Sequence, residues 1–530
     1  MKRSLFAGLL LTVATTAAHA GSTDDAMYFH SQVRDAPECT ATAADGTVSY
    51  PGAINSPAAT CPDTFAWATF LETIRSGFWE NWANDETVWV KDPKPLCATD
   101  GSTDCCFVDA GATPQVGYRD ADGDVRAPDD VGGPGQFCPY IPGDWGGALE
   151  TTFAGGKPGN SHNATFLRAL DPARIARQGQ VEVVYRNDSF VRYTTAQELY
   201  SKPGLAKLYA RMAGEAEHSK PHRPGGQGVV YPSSAVMFKV AWIDEETMLS
   251  LGYVSDHDND AATPPQNPER PYITQKIRAS SDDGKTWHER LYYLASVAAS
   301  TKALPDWHWF AFEHADNLGR CDFTGCNDSF GVLHRVTVDA PLQSEKDTTL
   351  TTTFESNFIA PRVKDDDLND DTDLFDLAKA YPAGEMTKAL TDLFAGMGIG
   401  GGDPSGVDPE HPKVTDPAWK SYRLKGTQTR YVNRDGVPTL LGSSINEGGF
   451  VNTASCISCH VQASVNADGG NGVPGVGSTG RLNIFGIGTV ISGPPVVGDF
   501  YDRGTTNTRA VQTDFVWGIL FAQDAGDAVK

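Results

Sequence analysis

The chain has 530 residues, with 67 Asp and Glu against 43 Lys and Arg and a formal net charge of −24. Such an acidic excess repels phosphate backbones and anionic lipid, which argues against nucleic-acid binding and favours basic redox partners or cationic small-molecule substrates. The length suffices for two or three domains.

Residues 1–20 read as a signal peptide. Lys2 and Arg3 precede an apolar run over 5–13, and Ala18-His19-Ala20 offers a small-residue cleavage site, so cleavage after Ala20 and a periplasmic address are expected. No later apolar run approaches membrane-spanning length, so no membrane span is expected.

Residues 21–160 form a Cys-rich loop and helix region. Ten cysteines occur in the chain, and eight of them lie outside the motif described below: Cys39, Cys61, Cys97, Cys105, Cys106, Cys138, Cys321 and Cys326. An even number in an oxidising compartment predicts four disulfides, with Cys321–Cys326 one of them and the connectivity of the rest open. One helix is expected from Pro62 on, with Phe70, Leu71, Ile74, Phe78 and Trp82 on its core face. Asp120-Ala121-Asp122-Gly123-Asp124 opens like a calcium loop, but Val125 and Val131 replace its glycine and bidentate glutamate, so a solvated turn is expected.

Residues 161–345 carry β-branched and aromatic runs at 181–185, 236–242, 272–279 and 291–298, with one helix at about 196–212. The fold class predicted is α+β, with an antiparallel β-rich middle region, a disulfide-stapled N-terminal region and a mainly helical or loop C-terminal segment. Ser280 to Trp287 matches the Asp-box pattern once and implies a tight hairpin. Residues 346–418 read as an acidic, Pro/Gly-rich connector with one helix at 374–394.

Residues 419–530 contain Cys456-Ile457-Ser458-Cys459-His460. The spacing C-x-x-C-H is the attachment signature of a c-type haem: each thiol forms a thioether with a haem vinyl group, and His460 is held where it can be the proximal iron ligand. One covalent haem c is therefore expected on Cys456, Cys459 and His460. A zinc site would want a second ligand pair at similar spacing, and a redox dithiol would not require the histidine.

No Met or His follows His460, so the sixth iron ligand is expected from upstream, from an unusual donor, or not at all. The stretch 307–317 supplies the leading histidine, His314, as possible distal ligand, with His308 behind it; alternation puts Trp307, Trp309 and Ala311 on one strand face and His308, Phe310 and Phe312 on the other. Met237, Met248 and Tyr501 are weaker options.

Trp307-x-Trp309-x-x-Phe312-Glu313-His314-x-Asp316-Asn317, then Leu424-Lys425-Gly426-Thr427-Gln428-Thr429, then Ser455 to His460, together resemble a family of large proteobacterial single-haem c-type cytochromes, over roughly residues 230 to 465. The resemblance implies haem c and a periplasmic address and assigns no reaction. The expected function is a periplasmic electron-transfer cytochrome; the alternatives are a haem enzyme, peroxidase- or oxygenase-like, and a haem-based sensor of a small ligand.

Overall fold

A computed structural model describes residues 34–98, 101–108, 116–126, 137–142, 149–151, 179–218, 228–255, 264–280, 286–341, 349–361, 380–447, 451, 454–470, 493–495, 500 and 508–524. Residues 1–20, where a signal peptide is expected, Tyr501 and the central residues of the Asp-box lie outside them. No helix among the described residues is long and apolar enough to cross a membrane.

The β-rich runs assemble into one seven-stranded sheet. Its strands are β1 (Leu149–Thr151), β2 (Gln180–Arg186), β3 (Val236–Asp244), β4 (Thr274–Ala279), β5 (His288–Thr301), β6 (His308–His314) and β7 (Tyr422–Gln428). The order is β7-β6-β5-β3-β2, with β4 on the first half of β5 and β1 beside β4. Every pair is antiparallel except β1 with β4. All four expected strands fall within this sheet. The hairpin expected at the Asp-box joins β4 to β5, with Ala279 opposite His288 and the Arg278 guanidinium over the Trp287 ring at 5.5 Å.

Both faces of the sheet are covered, which is why strands such as β6 are buried at every position. One face packs on α1 (Pro62–Arg75), where Phe70 stacks on Phe312 with centroids 4.1 Å apart and Trp67 meets the same ring edge-on at 4.7 Å. Proline sits in the first helical turn, and Gly77 at φ 62 breaks the run, so Phe78 and Trp82 belong to a following short turn rather than to the same helix. The other face receives α2 (Asp188–Ala196), α3 (Lys202–His218) and the C-terminal residues Ile457, Val461, Phe515 and Ile519.

The helix expected at 196–212 starts later, at Lys202, after a separate helix that ends at Ala196. Glu198 adopts φ 56 and Ser201 bridges to Gln523, so the chain turns before restarting with Pro203. The connector helix also starts later than expected. Thr387 caps α4 (Lys388–Met397), its hydroxyl accepting from the Leu390 N–H at 3.1 Å, after Pro382 and Gly384 (φ 70) have kept the chain extended. One hydrophobic core joins residues from Ala41 to Leu424 and another joins Ala83 to Ala522.

Eight cysteines pair as Cys39–Cys61, Cys97–Cys105, Cys106–Cys138 and Cys321–Cys326. The Asp120 turn is a capped loop: its carboxylate accepts from the Asp122 and Asp124 amides and from Arg126 Nε at 2.8 Å.

Three carboxyl groups meet where α1 starts. Asp35 accepts from the Asp63 N–H at 2.7 Å, and Asp63 accepts from the Ser329 N–H at 2.8 Å and the Thr427 hydroxyl at 2.8 Å. Asp328 accepts from the Gly331 N–H at 2.6 Å and Trp67 Nε1–H at 3.2 Å. Burial, reinforced by Asp35, pushes Asp63 well above the usual carboxylate range and Asp328 up to about 7. A group raised on folding contributes stability present below its unfolded value and lost as pH rises through the folded one. Melting temperature is therefore expected to fall between pH 4 and 8, and Asp328→Asn to flatten that slope. A variant with the wild-type slope would exclude Asp328 as a source.

Candidate haem-attachment site

The C-x-x-C-H pentapeptide folds as a single helical turn, α5 (Cys456–His460), against the sheet face opposite α1. In a helix, positions i, i+3 and i+4 share a side. Ile457 and Ser458 are buried, whereas Cys456, Cys459 and His460 are partly exposed, so the three chemically active groups share the less buried side of the turn. Cys456 and Cys459 are also the two cysteines that stay outside the disulfides. The donor set and its placement fit a covalent haem.

The turn is fixed at three points. Gln428, the last residue of β7, donates from Nε2 to the Ser455 hydroxyl at 2.9 Å and accepts from the Ile457 N–H at 3.0 Å. Leu441 bridges to Ser455, and this close approach needs glycine next door: a Cβ on Gly442 would sit 2.4 Å from that of Ala454. Trp517 Nε1–H donates to the Cys459 carbonyl at 3.2 Å.

His460 Nδ1 lies 2.8 Å from the Phe515 carbonyl. A carbonyl only accepts, so Nδ1 carries the proton and Nε2 the lone pair that a metal takes. This is the orienting bond typical of a metal-binding histidine. The Trp309 ring lies 4.5 Å from the imidazole at 44° and limits its rotation from the side of β6. The carbonyl is delivered by a strained turn, with Asp514 at φ 50 and Phe515 at φ 69, both left-handed without being glycine. Asp514 is held by Lys302 Nζ at 2.5 Å and the Tyr231 N–H at 2.7 Å.

Beside Cys456 the sheet face carries buried charge. Lys239 on β3 pairs with Glu447, with Glu182 at 4.0 Å. Burial alone would lower the lysine, but the two carboxylates outweigh it and hold Lys239 above its ordinary value. Burial, then Glu447, pushes the Cys456 thiol up, so before any thioether forms it stays protonated. A second pair, Lys425 with Glu313 at 3.2 Å, is fully buried. Glu313 also accepts from the Ser444 N–H at 2.7 Å and hydroxyl at 2.5 Å, while Glu447 accepts from the Ser443 N–H at 2.7 Å. These two carboxylates pin the segment leading into the site.

The three stretches that carry the family resemblance converge here. Trp309 stands opposite Gln428, Ala311 opposite Gly426 and His314 opposite Tyr422, and Gln428 grips the pentapeptide. The strand-face alternation read from the sequence holds, with Trp309 and Ala311 in the core around α5, and Phe310 and Phe312 in the core around α1.

The candidate distal histidines are placed elsewhere. His314 lies five residues beyond Trp309, about 16 Å along an extended strand. Its Nε2–H donates to the Arg270 carbonyl at 3.1 Å, its Nδ1 accepts from the Asp316 N–H at 3.2 Å, and its ring stacks on Tyr272 at 3.5 Å. Burial holds it well below its ordinary value, so it is neutral and its two nitrogens are committed. His308 faces the α1 side, donating to the Pro62 carbonyl at 3.1 Å, and burial pulls it down to about 3. Met248 lies in a separate core, while Met237 shares the core of α5 and lies level with Ser300 and Trp309 across the sheet.

Phe515, Trp517, Lys239 and Glu447 were not singled out by sequence, and Gln428 entered only as one position of a resemblance stretch. Lys239 could have been, as a lone charge inside the apolar strand Val236–Asp244; nothing local marks the others. Among the described residues no three His, Cys, Asp or Glu side chains gather as metal ligands. No protein-family model, curated protein or solved structure matches the chain.

Proposed function

We propose that the chain is an exported electron-transfer cytochrome carrying one haem c on Cys456 and Cys459, with His460 as iron ligand. The carrying observation is the α5 turn: two thiols outside the disulfides and an imidazole oriented through Nδ1 share its partly exposed side. Bound there, a haem would supply a one-electron ferric–ferrous couple. The chain's contribution is to anchor the porphyrin covalently, to present Nε2 through the Phe515 carbonyl and to steady the ring with Trp309. Convergence of the three resemblance stretches supports kinship with the large single-haem cytochromes. The four disulfides support export into an oxidising compartment, and the acidic chain suits a basic redox partner. Haem staining on a denaturing gel of protein made with cytochrome c maturation tests this; an unstained band overturns it.

A second reading, a haem enzyme or small-ligand sensor, is favoured by one observation: His308 and His314 are both committed away from α5, so β6 offers no histidine at a sixth position. His314→Ala is accordingly expected to leave the ferric absorption spectrum unchanged while lowering the melting temperature. A shift of the iron towards high spin in that variant would put His314 back on the iron. Ready cyanide binding by the wild type would favour the second reading over the first.

A further inference from the structure

From His460 a file of aromatic rings runs through the protein. Trp309 lies 4.5 Å from the imidazole, Trp307 6.3 Å from Trp309, Tyr231 6.0 Å from Trp307 and Tyr193 4.6 Å from Tyr231, all as ring centroids. The first three rings of that file after the histidine are buried, and Tyr193 is half-exposed. The file reaches the surface at the Tyr193 hydroxyl, which accepts from the N–H of Val230 at 2.8 Å; Val230 is 62% exposed.

Core packing alone does not account for Trp307. Its backbone is left-handed, φ 63, where glycine or asparagine is the ordinary occupant and a bulky side chain is an outlier. Strain of this kind persists only where the surroundings over-determine it, and it gathers at functional positions. Here the surroundings are the Lys302–Asp514 pair, whose lysine lies 5.6 Å over the indole and whose aspartate holds both the Tyr231 amide and the turn presenting Phe515 to His460. One ion pair thus fixes both ends of the Trp307–Tyr231 step and the haem-ligand turn. Its carboxylate offsets the lysine charge that would otherwise oppose loss of an electron from the indole.

We propose that Trp309, Trp307, Tyr231 and Tyr193 form an electron path between the His460-bound iron and the surface at Tyr193 and Val230. The proposal rests on the haem reading above. Indole and phenol are among the protein side chains that most readily release an electron, and the tilted ring contacts at these separations keep each step short. The net event is the transfer of one electron: ferrous iron becomes ferric, the oxidant at the surface is reduced by one electron, and no bond forms or breaks.

The test uses the full-length haem protein with a ruthenium polypyridyl label on Val230→Cys. The eight other cysteines outside the C-x-x-C-H motif are in disulfides and the remaining two would be consumed by the haem, so labelling is site-specific. After flash oxidation of the label, haem oxidation is followed by absorbance. A fast phase is expected, lost in Trp307→Phe, which keeps an aromatic ring but not an easily oxidised one. A second label on Leu249→Cys, an exposed position beside Met248 of a different core, reports on general damage, and its rate is expected to be unchanged by Trp307→Phe. A haem band with equal rates from the Val230 label in both proteins overturns the path alone, as does an equal slowing from both labels. Absence of a haem band overturns the path and the haem reading together.

Discussion

Cys459→Ala is expected to abolish haem staining of the denatured chain, or reduce it to a trace, while leaving the four disulfides in place. In α5 the two sulfurs lie three residues apart on the side shared with His460, and the Cys459 carbonyl is fixed by Trp517, so a haem bound there would find one thiol for each of its two vinyl groups. Removing one leaves a single thioether site, so less haem would remain attached through denaturation. His460→Ala is expected to give the same loss through the missing iron ligand, with the thiols intact. Staining at wild-type strength in Cys459→Ala would mean that Cys456 alone keeps the haem covalent or that the haem is held elsewhere, and would overturn the two-thioether attachment. Non-reducing mass spectrometry of the variants separates this outcome from misfolding, because the Cys106–Cys138 and Cys39–Cys61 bridges report on the rest of the molecule.

Glu313→Ala is expected to destabilise the protein by about 3–5 kcal/mol, read as a shift of the denaturation midpoint at constant slope. Glu313 and Lys425 are both wholly buried, and removing the carboxylate strands an ammonium in the core while orphaning the Ser444 amide and hydroxyl. Replacing both partners with apolar side chains, Glu313→Leu with Lys425→Met, should recover much of the loss, since it is the unpaired charge that costs most. A loss under about 1 kcal/mol in Glu313→Ala would show that water or another anion reaches Lys425. Because Glu313 also ties down Ser444, haem incorporation is expected to fall along with stability.

Local chemistry made the strands legible. The runs around Val181, Val236, Thr274 and Leu291 are β-branched or aromatic and end at turn residues, and each is a strand of the central sheet. The Cys321–Cys326 loop was equally plain, but six cysteines before residue 140 allow fifteen pairings, and only three-dimensional contact selects among them. Gln428 carries no local sign of its role: its importance comes from pairing β7 with a strand more than a hundred residues earlier. The surroundings of His314 were not legible either: a terminal histidine beside carboxylates suits a ligand and a buried hydrogen-bonded ring equally well, and the Arg270 carbonyl that it meets lies on another element.

The pairing of β6 with β7 also sets an order of events. The ribosome delivers the N-terminal side first, and β6 is a run of Trp, Phe and Ala whose outer edge has no partner until residues 422–428 emerge. Until then that edge is open to another chain, so yield should depend on how fast the last hundred residues follow and on chaperone cover during the interval. Closing so distant a pair makes the sheet a late and slow step. The Cys456–His460 segment, farther along the chain than β7, stays off the sheet with its thiols within reach until β7 has paired and Gln428 draws it in.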